Sequence, residues 1–366
     1  MSKYLITLKP LGKYFFGGDM TFQVGADEKS KFNEAFSSYI IASNKFPQQT
    51  SLLGMMRYLL LNQSPKEVFS QDCNRIIDQS KAKGLIGEES FKVLTGHNQL
   101  NDFGKIKSLG PCFLKNNKEA FLPVPKDYHF SISFGNNESS SVYYNAHALS
   151  LPSIDGYSAK ESYDSLYIGL YSGTVCKEDE IFQKDIRIGI NKNYKGRSDT
   201  KGFYKQISYR LKDNFHFAFV VDCDFDLKAC QNEIVSLGAD GSRFSLSATL
   251  LSENRIELTY PKDSLKEVTG GSRVILLSDT FLDVADLASV RFSITETIPF
   301  RFLCTNIETK NYDILGDVKR IKERYYLYER GSVFYFDDKT AAVAFGQLVN
   351  NKKEFCQIGY NNYMIQ

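Results

Sequence analysis

The residues that first suggest chemistry are Gly17, Gly18 and Asp19, which lie between the apolar runs of "KYFFGGDMTF". An aspartate on such a turn is typical of one half of a two-metal site for nucleotidyl transfer. Such a site needs at least two carboxylates that converge on the ions. The next carboxylates are Asp27 and Glu28, and "YLITLKPLGKYFF" before the turn contains none. The sequence therefore favours a tight turn in which glycines supply positive φ and Asp19 hydrogen-bonds its own backbone.

The histidines and cysteines form no catalytic or zinc-binding pattern. The sequence lacks G-x-S-x-G and H-E-x-x-H motifs, and its seven cysteines form no C-x-x-C pair. His216, in "NFHFAFVV", is interpreted as a core histidine, and no function is assigned to His97 or His129. His147, in "YYNAHALS", is the loop histidine among tyrosines that could act as a general base. We therefore expect no enzyme activity, no metal and no cofactor.

Basic residues are concentrated in one stretch, although the net charge is only +2. Between 184 and 212 the chain carries two Asp residues and nine Lys or Arg residues, at 184, 187, 192, 195, 197, 201, 205, 210 and 212. A second basic run, "VKRIKERYYLYER", covers 318–330. Tyr and Phe are interleaved with these charges, and cations that follow phosphates beside stacking rings suit single-stranded nucleic acid. The alternative is a solvated hairpin whose lysines protect its edges.

Length and composition indicate a globular protein with one large or two ordinary domains. The chain has 366 residues, of which 42% are hydrophobic, and this length allows one or two cores. No stretch reaches the roughly 18 apolar residues of a membrane helix, and "MSKYLITLKP" does not look like a signal segment. The cysteines are scattered and their number is odd, which suits a reducing compartment. We expect a cytoplasmic protein with no membrane partner.

The order of the predicted elements indicates an α+β protein with two tandem ferredoxin-like folds, each with the RRM-like order βαββαβ. In the first fold "YLITLKPL" is a strand, "PQQTSLLGMMRYLLLNQ" is a helix, and Ile186–Ile190 and Phe203–Leu211 are the middle strands. "DLKACQNEIVSLGADG" is the predicted second helix, and "SRFSLSATLLS" is the last strand. We place this domain at 1–256, with insertions within about 63–180 and a projecting β-hairpin thumb at about 187–211.

The second, smaller ferredoxin-like domain is predicted at 268–366. "SRVILLSD" is its first strand, "FLDVADLASVRF" its first helix, and "IPFRFLCTNI" and "ERYYLYERGSVFYFD" contain its middle strands. "KTAAVAFGQL" is the second helix, and "EFCQIGYNNYMIQ" provides a glycine turn and the final strand.

Two segments could bind phosphate groups through backbone N–H groups. In "SLGADGSRFSLS", Gly238 and Gly241 allow close approach of the backbone to a phosphate, and Arg243 adds positive charge. The alternative is a helix C-cap with an exposed arginine, and a P-loop is excluded because the Gly-Lys-Ser/Thr ending is missing. In "PQQTSLLGMMR" the helix start attracts anions, and Arg57 could hold a second phosphate. There the alternative is a capped core helix with one arginine that reaches the solvent.

The ordered motifs resemble the RAMP superfamily of CRISPR proteins, specifically the third subunit of the type III-B (Cmr) RNA-guided effector complex. The resemblance extends from Tyr4 to Tyr363, except for the insertions at 63–110 and 136–180. It depends on the order of "PQQTSLLGMMRYLL", "RIGINKNY…GFYKQISYRLK", "SLGADGSRF", "RVILLSD", "RGSVFYF" and "IGYNNY". In that family the turn after the first strand holds no catalytic metal, so Gly17-Gly18-Asp19 matches a structural element. Cyclase-like chemistry belongs there to a separate large subunit.

The resemblance implies a non-catalytic subunit that binds the 5′ handle of the CRISPR RNA, caps the complex and wedges a hairpin into the guide–target duplex. The implied partners are CRISPR RNA, target RNA through the guide duplex, the large polymerase/cyclase-like subunit and the backbone RAMP subunits. Carried over by position, the handle-binding candidates are Gln49, Thr50, Ser51, Arg57, Gly238, Gly241, Ser242 and Arg243. The thumb candidates are Asn193, Tyr194, Lys195, Arg197, Lys201, Phe203 and Tyr204. Gly359 and Tyr360 are expected to line the same groove as the handle candidates.

Other functions stay open at this point. The equivalent subunit of a type III-A or III-D complex shares the implied fold and role. A RAMP endoribonuclease that cuts the CRISPR RNA precursor needs a His general base near the first helix, working with Tyr or Lys. No residue before His97 qualifies, which argues against that enzyme. A scaffold without RNA contact is the third alternative, and the basic hairpin argues against it.

Overall fold

The structure is a computed structural model, and it describes residues 2–17, 20–22, 39–71, 75–94, 96–97, 99–134, 141–144, 147–150, 152–157, 165–192, 198–252, 256, 258–305 and 319–366. The architecture of these residues is mixed α+β, with mostly antiparallel sheets and few helices. The α+β class predicted from the sequence is therefore confirmed. None of the described helices is long and apolar enough to cross a membrane.

The described residues form five α-helices and twenty-five strands. The helices are α1 (Gln49–Asn62), α2 (Gln79–Ile86), α3 (Glu178–Ile181), α4 (Lys339–Asn350) and α5 (Lys353–Gln357). The strands of the first half are β1 (Ser2–Pro10), β2 (Met20–Phe22), β3 (Tyr39–Ala42), β4 (Ile106–Leu109), β5 (Phe113–Lys115), β6 (Ala120–Pro123), β7 (Ser131–Ser133), β8 (Ser141–Tyr144), β9 (His147–Ser150), β10 (Ser153–Asp155), β11 (Leu166–Gly169) and β12 (Val175–Lys177). The later strands are β13 (Phe182–Lys192), β14 (Ser198–Leu211), β15 (His216–Cys223), β16 (Glu233–Ser236), β17 (Arg243–Leu250), β18 (Ser272–Leu276), β19 (Phe292–Ile294), β20 (Thr297–Phe300), β21 (Leu303–Cys304), β22 (Lys319–Arg320), β23 (Tyr325–Tyr328), β24 (Val333–Phe336) and β25 (Tyr363–Ile365).

The largest sheet has the strand order β12-β11-β6-β5-β15-β1-β17-β16, and β4 also pairs with β15. Its central strand β1 pairs antiparallel with β15 on one side and β17 on the other. In the chain, α1 follows β1 and the short strands β2 and β3. Its residues Leu52, Leu53, Met56 and Leu60 are buried, as the helical spacing predicts. The predicted first strand, first helix and last strand of this part are therefore confirmed.

The middle strands of this sheet were predicted wrongly. Ile186–Ile190 and Phe203–Leu211 do pair with each other, but they belong to β13 and β14 of a separate four-stranded sheet, β13-β14-β3-β2. The strand beside β1 is instead β15, in which Phe217, Phe219 and Val221 are completely buried. Alternating hydrophobicity identifies a strand but not the strand it pairs with, and this explains the error.

The predicted helix in "DLKACQNEIVSLGADG" is also wrong, because this segment forms a turn followed by β16. The side chain of Asp226 accepts hydrogen bonds from the backbone N–H of Lys228 and from the hydroxyl of Tyr4, both at 3.0 Å. Asn232 then adopts a positive φ of 58°, which is incompatible with continued α-helix. Asp and Asn side chains disfavour a helix because they form hydrogen bonds with nearby backbone groups.

The second half of the chain contains a four-stranded sheet with the order β19-β24-β18-β25. Its first and last strands and the helix α4 lie where the sequence predicts them. The segment "FLDVADLASVRF" forms only a short 3-10 helix, Val284–Ser289. The segment "IPFRFLCTNI" does contain strands, β20 and β21. Its predicted place as a middle strand of this sheet is wrong, because β19 takes that place and β20 pairs with β23 in a separate two-stranded sheet.

One apolar cluster joins the two halves of the chain. It contains Phe217 and Phe244 of the large sheet together with Phe300, Phe355 and Tyr360 from the second half. A buried ion pair between Arg330 and Asp279, 3.1 Å apart, lies at the same junction, and Arg330 also donates to the carbonyl of Cys112 at 2.8 Å. The two halves therefore share buried contacts.

Candidate RNA interface

The start of α1 is held by contacts from the far end of the chain. The side-chain amide of Gln49 donates to the carbonyls of Gly110 and Ile358 at 2.8 and 2.7 Å. The backbone N–H of Gln49 donates to the hydroxyl of Tyr360 at 3.2 Å. The first N–H groups of a helix have no intrahelical acceptor, so a protein hydroxyl satisfies one of them here. Of the three helix-start candidates, Gln49 is buried, Thr50 is half-buried and Ser51 is exposed.

Gly359 and Tyr360 contact the helix start as core residues. Gly359 has a φ of +89°, and a Cβ at this position would lie 2.0 Å from Nε2 of Gln49 and 2.4 Å from the carbonyl oxygen of Gly110. Tyr360 is 1% exposed, and burial together with Asp279 raises its pKa. The structure thus brings this turn together with the helix start, and it buries both residues.

Arg57 lies inside the protein. It is 8% exposed, and its Nε donates at 2.9 Å to the carbonyl of Ile86, the last residue of α2. One terminal nitrogen lies 3.4 Å from the hydroxyl of Thr305, and burial lowers the pKa of Arg57 to about 10. A cation near a helix C-terminus stabilises the unpaired carbonyls there. The contacts of Arg57 are those of a helix cap, and its RNA contact stays a prediction.

The glycine loop is fixed to the segment that follows β1. Gly238 has a φ of +92°, and a Cβ there would lie 2.4 Å from the carbonyl oxygen of Phe15. That carbonyl accepts from the N–H of Ala239 at 2.8 Å. The buried hydroxyl of Ser242 accepts from the N–H of Phe15 at 2.9 Å and donates to the carbonyl of Ala239. Gly238 and Ser242 therefore position the loop, since neither presents an accessible side chain.

The outer part of this loop faces the solvent. Asp240 and Gly241 have positive φ values of 55° and 67°, and a Cβ at Gly241 would meet no atom within 4 Å. Within the described residues, the N–H groups of Asp240 and Gly241 donate to no protein acceptor. Arg243 is exposed at the start of β17, and its carbonyl accepts from the N–H of Leu11 at 2.9 Å. Adjacent free N–H groups beside an arginine can bind an anion.

The base of the hairpin contacts the glycine loop. The side-chain amide of Gln206, on β14, donates to the carboxylate of Asp240. Tyr14 and Phe15 form bridges to Tyr209 of β14 and to Ala239 of the loop, so the same segment lies between the hairpin and the loop. Sequence reasoning missed this connecting role, although three consecutive aromatic residues, Tyr14 to Phe16, were a signal that the segment is buried.

Only part of the predicted thumb is described. Asn193, Tyr194, Lys195 and Arg197 lie outside the described residues, as do Gly18 and Asp19. Lys201 and Phe203 lie on β14, and their side chains are not described. Tyr204 is exposed and pairs with Gly189 of β13. A Cβ at Gly189 would lie 2.1 Å from the ring of Tyr204, so the tyrosine ring covers the glycine of the "RIGIN" motif.

Two groups of candidates therefore emerge. The first is the buried contact of Gln49 with Gly359 and Tyr360, next to the more accessible Thr50 and Ser51. The second is the exposed loop surface at Gly241 and Arg243, which continues through Asp240 to the hairpin. Within the described residues, no group of three or more His, Cys, Asp or Glu side chains could hold a metal ion.

Comparison with known proteins identifies the family. The model of the family described as "CRISPR-associated protein (Cas_Cmr3)" matches residues 6–172 and 169–366, whereas no curated protein matches the chain. The chain is similar to a chain in a cryo-EM structure of the type III-B Cmr-beta complex bound to cognate target RNA, with 14% identity, a TM-score of 0.49, and 99% of this chain and 96% of that chain covered. It is also similar to a chain in a structure of this complex bound to cognate target RNA and AMPPnP, with 13% identity and a TM-score of 0.47. That similarity covers 99% of this chain and 96% of that chain.

A third similar structure is a crystal structure of the Csm3-Csm4 subcomplex of the type III-A interference complex. Here the identity is 12% and the TM-score is 0.35, with 92% of this chain and 97% of that chain covered. These structural similarities are weak, and the family match carries the assignment. It covers nearly the whole chain and confirms the resemblance to Cmr proteins that the motif order indicates. The chain belongs to the Cas_Cmr3 family of CRISPR-associated proteins.

Proposed function

We propose that this chain is a non-catalytic, RNA-binding subunit of a type III-B CRISPR effector complex and that it binds the 5′ handle of the CRISPR RNA. The observation that carries the proposal is the exposed loop at Gly241 and Arg243. It combines two adjacent N–H groups without a protein acceptor among the described residues, a glycine without a covering side chain, and an exposed guanidinium. Backbone N–H groups and arginine are the usual ligands of RNA phosphates.

The anchoring of this loop supports a positioning role. Phe15 accepts from Ala239 and donates to Ser242, so both sides of the loop are tied to one buried segment. A fixed loop loses little conformational freedom on binding, and this pre-organisation favours affinity. Thr50 and Ser51 at the start of α1 are the accessible candidates for a second handle contact, because the first turn of a helix attracts phosphates.

The hairpin β13–β14 is proposed to be the thumb that enters the guide–target duplex. The pairing of Phe182 with Leu211 continues as far as Ile190 with Phe203, so the hairpin is long enough to project. The distal part of the hairpin, 191–204, carries the basic and aromatic residues of "NKNYKGRSDTKGFY". Cations beside stacking rings suit a segment that separates bases.

We also propose the tandem ferredoxin-like arrangement, with domains at 1–256 and 268–366. The strand order β5-β15-β1-β17 in the large sheet and β19-β24-β18-β25 in the smaller one support it. If the four strands of each unit are numbered along the chain, both sheets have the order 2-3-1-4, as expected for βαββαβ. The proposed partners are the CRISPR RNA, target RNA, the large polymerase/cyclase-like subunit and the backbone RAMP subunits, in the cytoplasm.

A salt titration with labelled handle RNA tests the handle proposal on the purified full-length chain. Arg243→Ala should weaken binding by about 1–3 kcal/mol, as for a charge-assisted phosphate contact. It should also reduce the salt dependence by about one phosphate equivalent. The matched control is Arg301→Ala, which removes another exposed arginine. Wild-type affinity of Arg243→Ala at every salt concentration, or an equal loss with Arg301→Ala, would show that the loop is not the handle site.

A further inference from the structure

Strand β13 exposes a row of isoleucines on one face of the hairpin. Ile186, Ile188 and Ile190 are 52%, 67% and 43% exposed, respectively. Residues at every second position of a strand point to the same face, so these three side chains form one stripe. Their partners on β14 include Ile207 and Lys205, opposite Ile186 and Ile188. Since directly opposite residues share a face, Ile207 and Lys205 lie on the face of the stripe, and Ile207 is half-buried because it packs against the apolar core.

The same face extends to β3. Ile40 is the register partner of Lys205 in the parallel pair β14–β3, and it is 37% exposed. Exposed large apolar side chains that occur singly need no explanation, but a contiguous row marks an interaction site. The row lies below the hairpin tip, on the face opposite Gln206, whose side chain contacts the glycine loop. The proposed RNA contacts do not use it.

β13 is also an edge strand. It is 11 residues long and pairs with β14 only, within the part of the chain that the structure describes. About half of the backbone N–H and C=O groups of such a strand point away from its partner and can pair with another strand. A long edge strand with an apolar face is where a second chain adds by β-augmentation. Alternate apolar side chains of the added strand would then lie beside the stripe on the same face, as cross-strand neighbours.

We propose that the outer edge of β13 binds a β-strand of another protein subunit of the effector complex. The strand would have apolar residues at alternate positions and acidic residues near them. RNA is a poorer occupant of this stripe, because aliphatic side chains neither stack like aromatic rings nor donate hydrogen bonds to phosphates.

The positive charge of the hairpin favours an acidic partner strand. Lys184 lies two residues before Ile186 on the same face, and Lys205 lies across from Ile188. The stretch 184–212 as a whole has nine basic and two acidic residues. A second copy of this chain would place two such basic hairpins side by side, and like charges in register destabilise a strand pair. An acidic partner strand is therefore favoured over self-association.

The experiment compares amide hydrogen exchange in the free full-length chain and in the chain assembled with the large and backbone subunits without RNA. Strand addition should slow exchange of alternate amides between Gln183 and Asn191 at least tenfold. Ile188→Lys should abolish this protection and weaken assembly at least tenfold, because it places a cation in the apolar stripe. Ile234→Lys is the matched control, since Ile234 is 65% exposed on β16, the edge strand of the large sheet.

The proposal rests on the proposed effector role, but its test is separate from the test of handle binding. Ile188→Lys keeps positive charge on the hairpin, so the free variant should bind handle RNA at least as tightly as wild type. Four results would overturn the proposal: unchanged exchange on assembly, protection that appears only when RNA is added, equal effects of Ile188→Lys and Ile234→Lys, or failure of the subunits to assemble with this chain. Failure of the free wild-type chain to bind handle RNA would instead count against the handle site.

Discussion

The hydroxyl of Tyr360 accepts a hydrogen bond from the backbone N–H of Gln49 at 3.2 Å, although the two residues are 311 positions apart. The contact joins the last turn of the chain to the start of α1. The side-chain amide of Gln49 also donates a hydrogen bond to the carbonyl of Ile358, in the same turn. Since α1 packs against the large sheet and the turn belongs to the second half, this pair of residues ties the two halves together at a site that excludes water.

The first prediction concerns the glycine that permits this contact. Gly359→Ala should lower the free energy of unfolding by about 1–3 kcal/mol or more, because the position has positive φ and the new Cβ would collide with Gln49 and Gly110. Gly54→Ala, in the middle of α1 with no atom within 4 Å of its Cβ, should raise that free energy by roughly 0.5–1 kcal/mol. Urea denaturation measures both. Effects of the same sign would contradict the packing described at Gly359.

The second prediction compares the stability effects of a buried arginine, Arg57, and an exposed one, Arg243. Arg57→Ala should destabilise the protein by about 1–3 kcal/mol, since the carbonyl of Ile86 loses a buried donor. Arg243→Ala should change stability by less than about 0.5 kcal/mol, as is usual for exposed positions. Thermal melting and urea titration of both variants measure the difference. Equal stability losses would mean that Arg243 is part of the folded core, which its exposure argues against.

The sequence predicted which segments are strands better than it predicted how they pair. β1, α1, β17, β18, α4 and β25 lie where their periodicity places them. β13 and β14 also form a hairpin as expected, but alternation could not show that β15 takes the place beside β1. Pairing depends on contacts between residues far apart in sequence, such as Ile6 with Phe219. Such contacts leave no local signal in a single chain.

The backbone geometry of the glycine loop could be predicted from the sequence because it is local, whereas RNA binding by this loop stays a prediction. Gly238 and Gly241 have the positive φ values that a glycine turn requires. The environment of Arg57 could not be predicted, because its burial depends on Ile86 and Thr305, which are distant in sequence. Tyr360 is a groove candidate through the family resemblance alone, and its burial depends on contacts with the start of α1, which is distant in sequence.

The third prediction concerns His216 at the start of β15. Burial, with added repulsion from Lys9 and Lys115, lowers its pKa in the folded protein. In the unfolded chain the pKa is about 6.5, so the unfolded state takes up the proton first as the pH falls below that value. The free energy of unfolding should therefore fall with acidification, and His216→Gln should reduce this fall. Urea midpoints at pH 7.5 and 5.5 test it. Parallel curves for the variant and wild type would contradict it.

The fourth prediction is the absence of catalysis. The purified chain should neither cleave repeat RNA nor make cyclic oligonucleotides, with or without magnesium, because "YLITLKPLGKYFFGGDMTFQV" offers one carboxylate and two-metal chemistry needs more. Product analysis after long incubation measures both activities. A metal-dependent product that disappears in Asp19→Ala would refute the prediction, and so would RNA cleavage that disappears in His147→Ala.

The last prediction concerns the tip of the hairpin. Replacement of 192–201 by a short Gly-Ser turn should leave the fold and assembly with the large subunit intact, because the pairs from Ile190 with Phe203 to Phe182 with Leu211 remain. In the assembled complex the tip should separate neighbouring base pairs and displace one nucleotide. Unstacking costs a few kcal/mol, which ring contacts and phosphate neutralisation offset. The replacement should therefore change the chemical footprint at one flipped nucleotide next to the handle.

A variant with one ring removed and the charges kept tests whether that ring acts at the tip. Tyr194→Ser retains the four basic residues of the tip, Lys192, Lys195, Arg197 and Lys201, so it should preserve the salt dependence of RNA binding. If the ring stacks on the opened base step, Tyr194→Ser should lose part of the footprint change at the flipped nucleotide, as the Gly-Ser replacement does. An unchanged footprint in the Gly-Ser variant, within an intact complex, would refute the thumb assignment. The hairpin would then be a solvated edge whose lysines only prevent unwanted strand pairing.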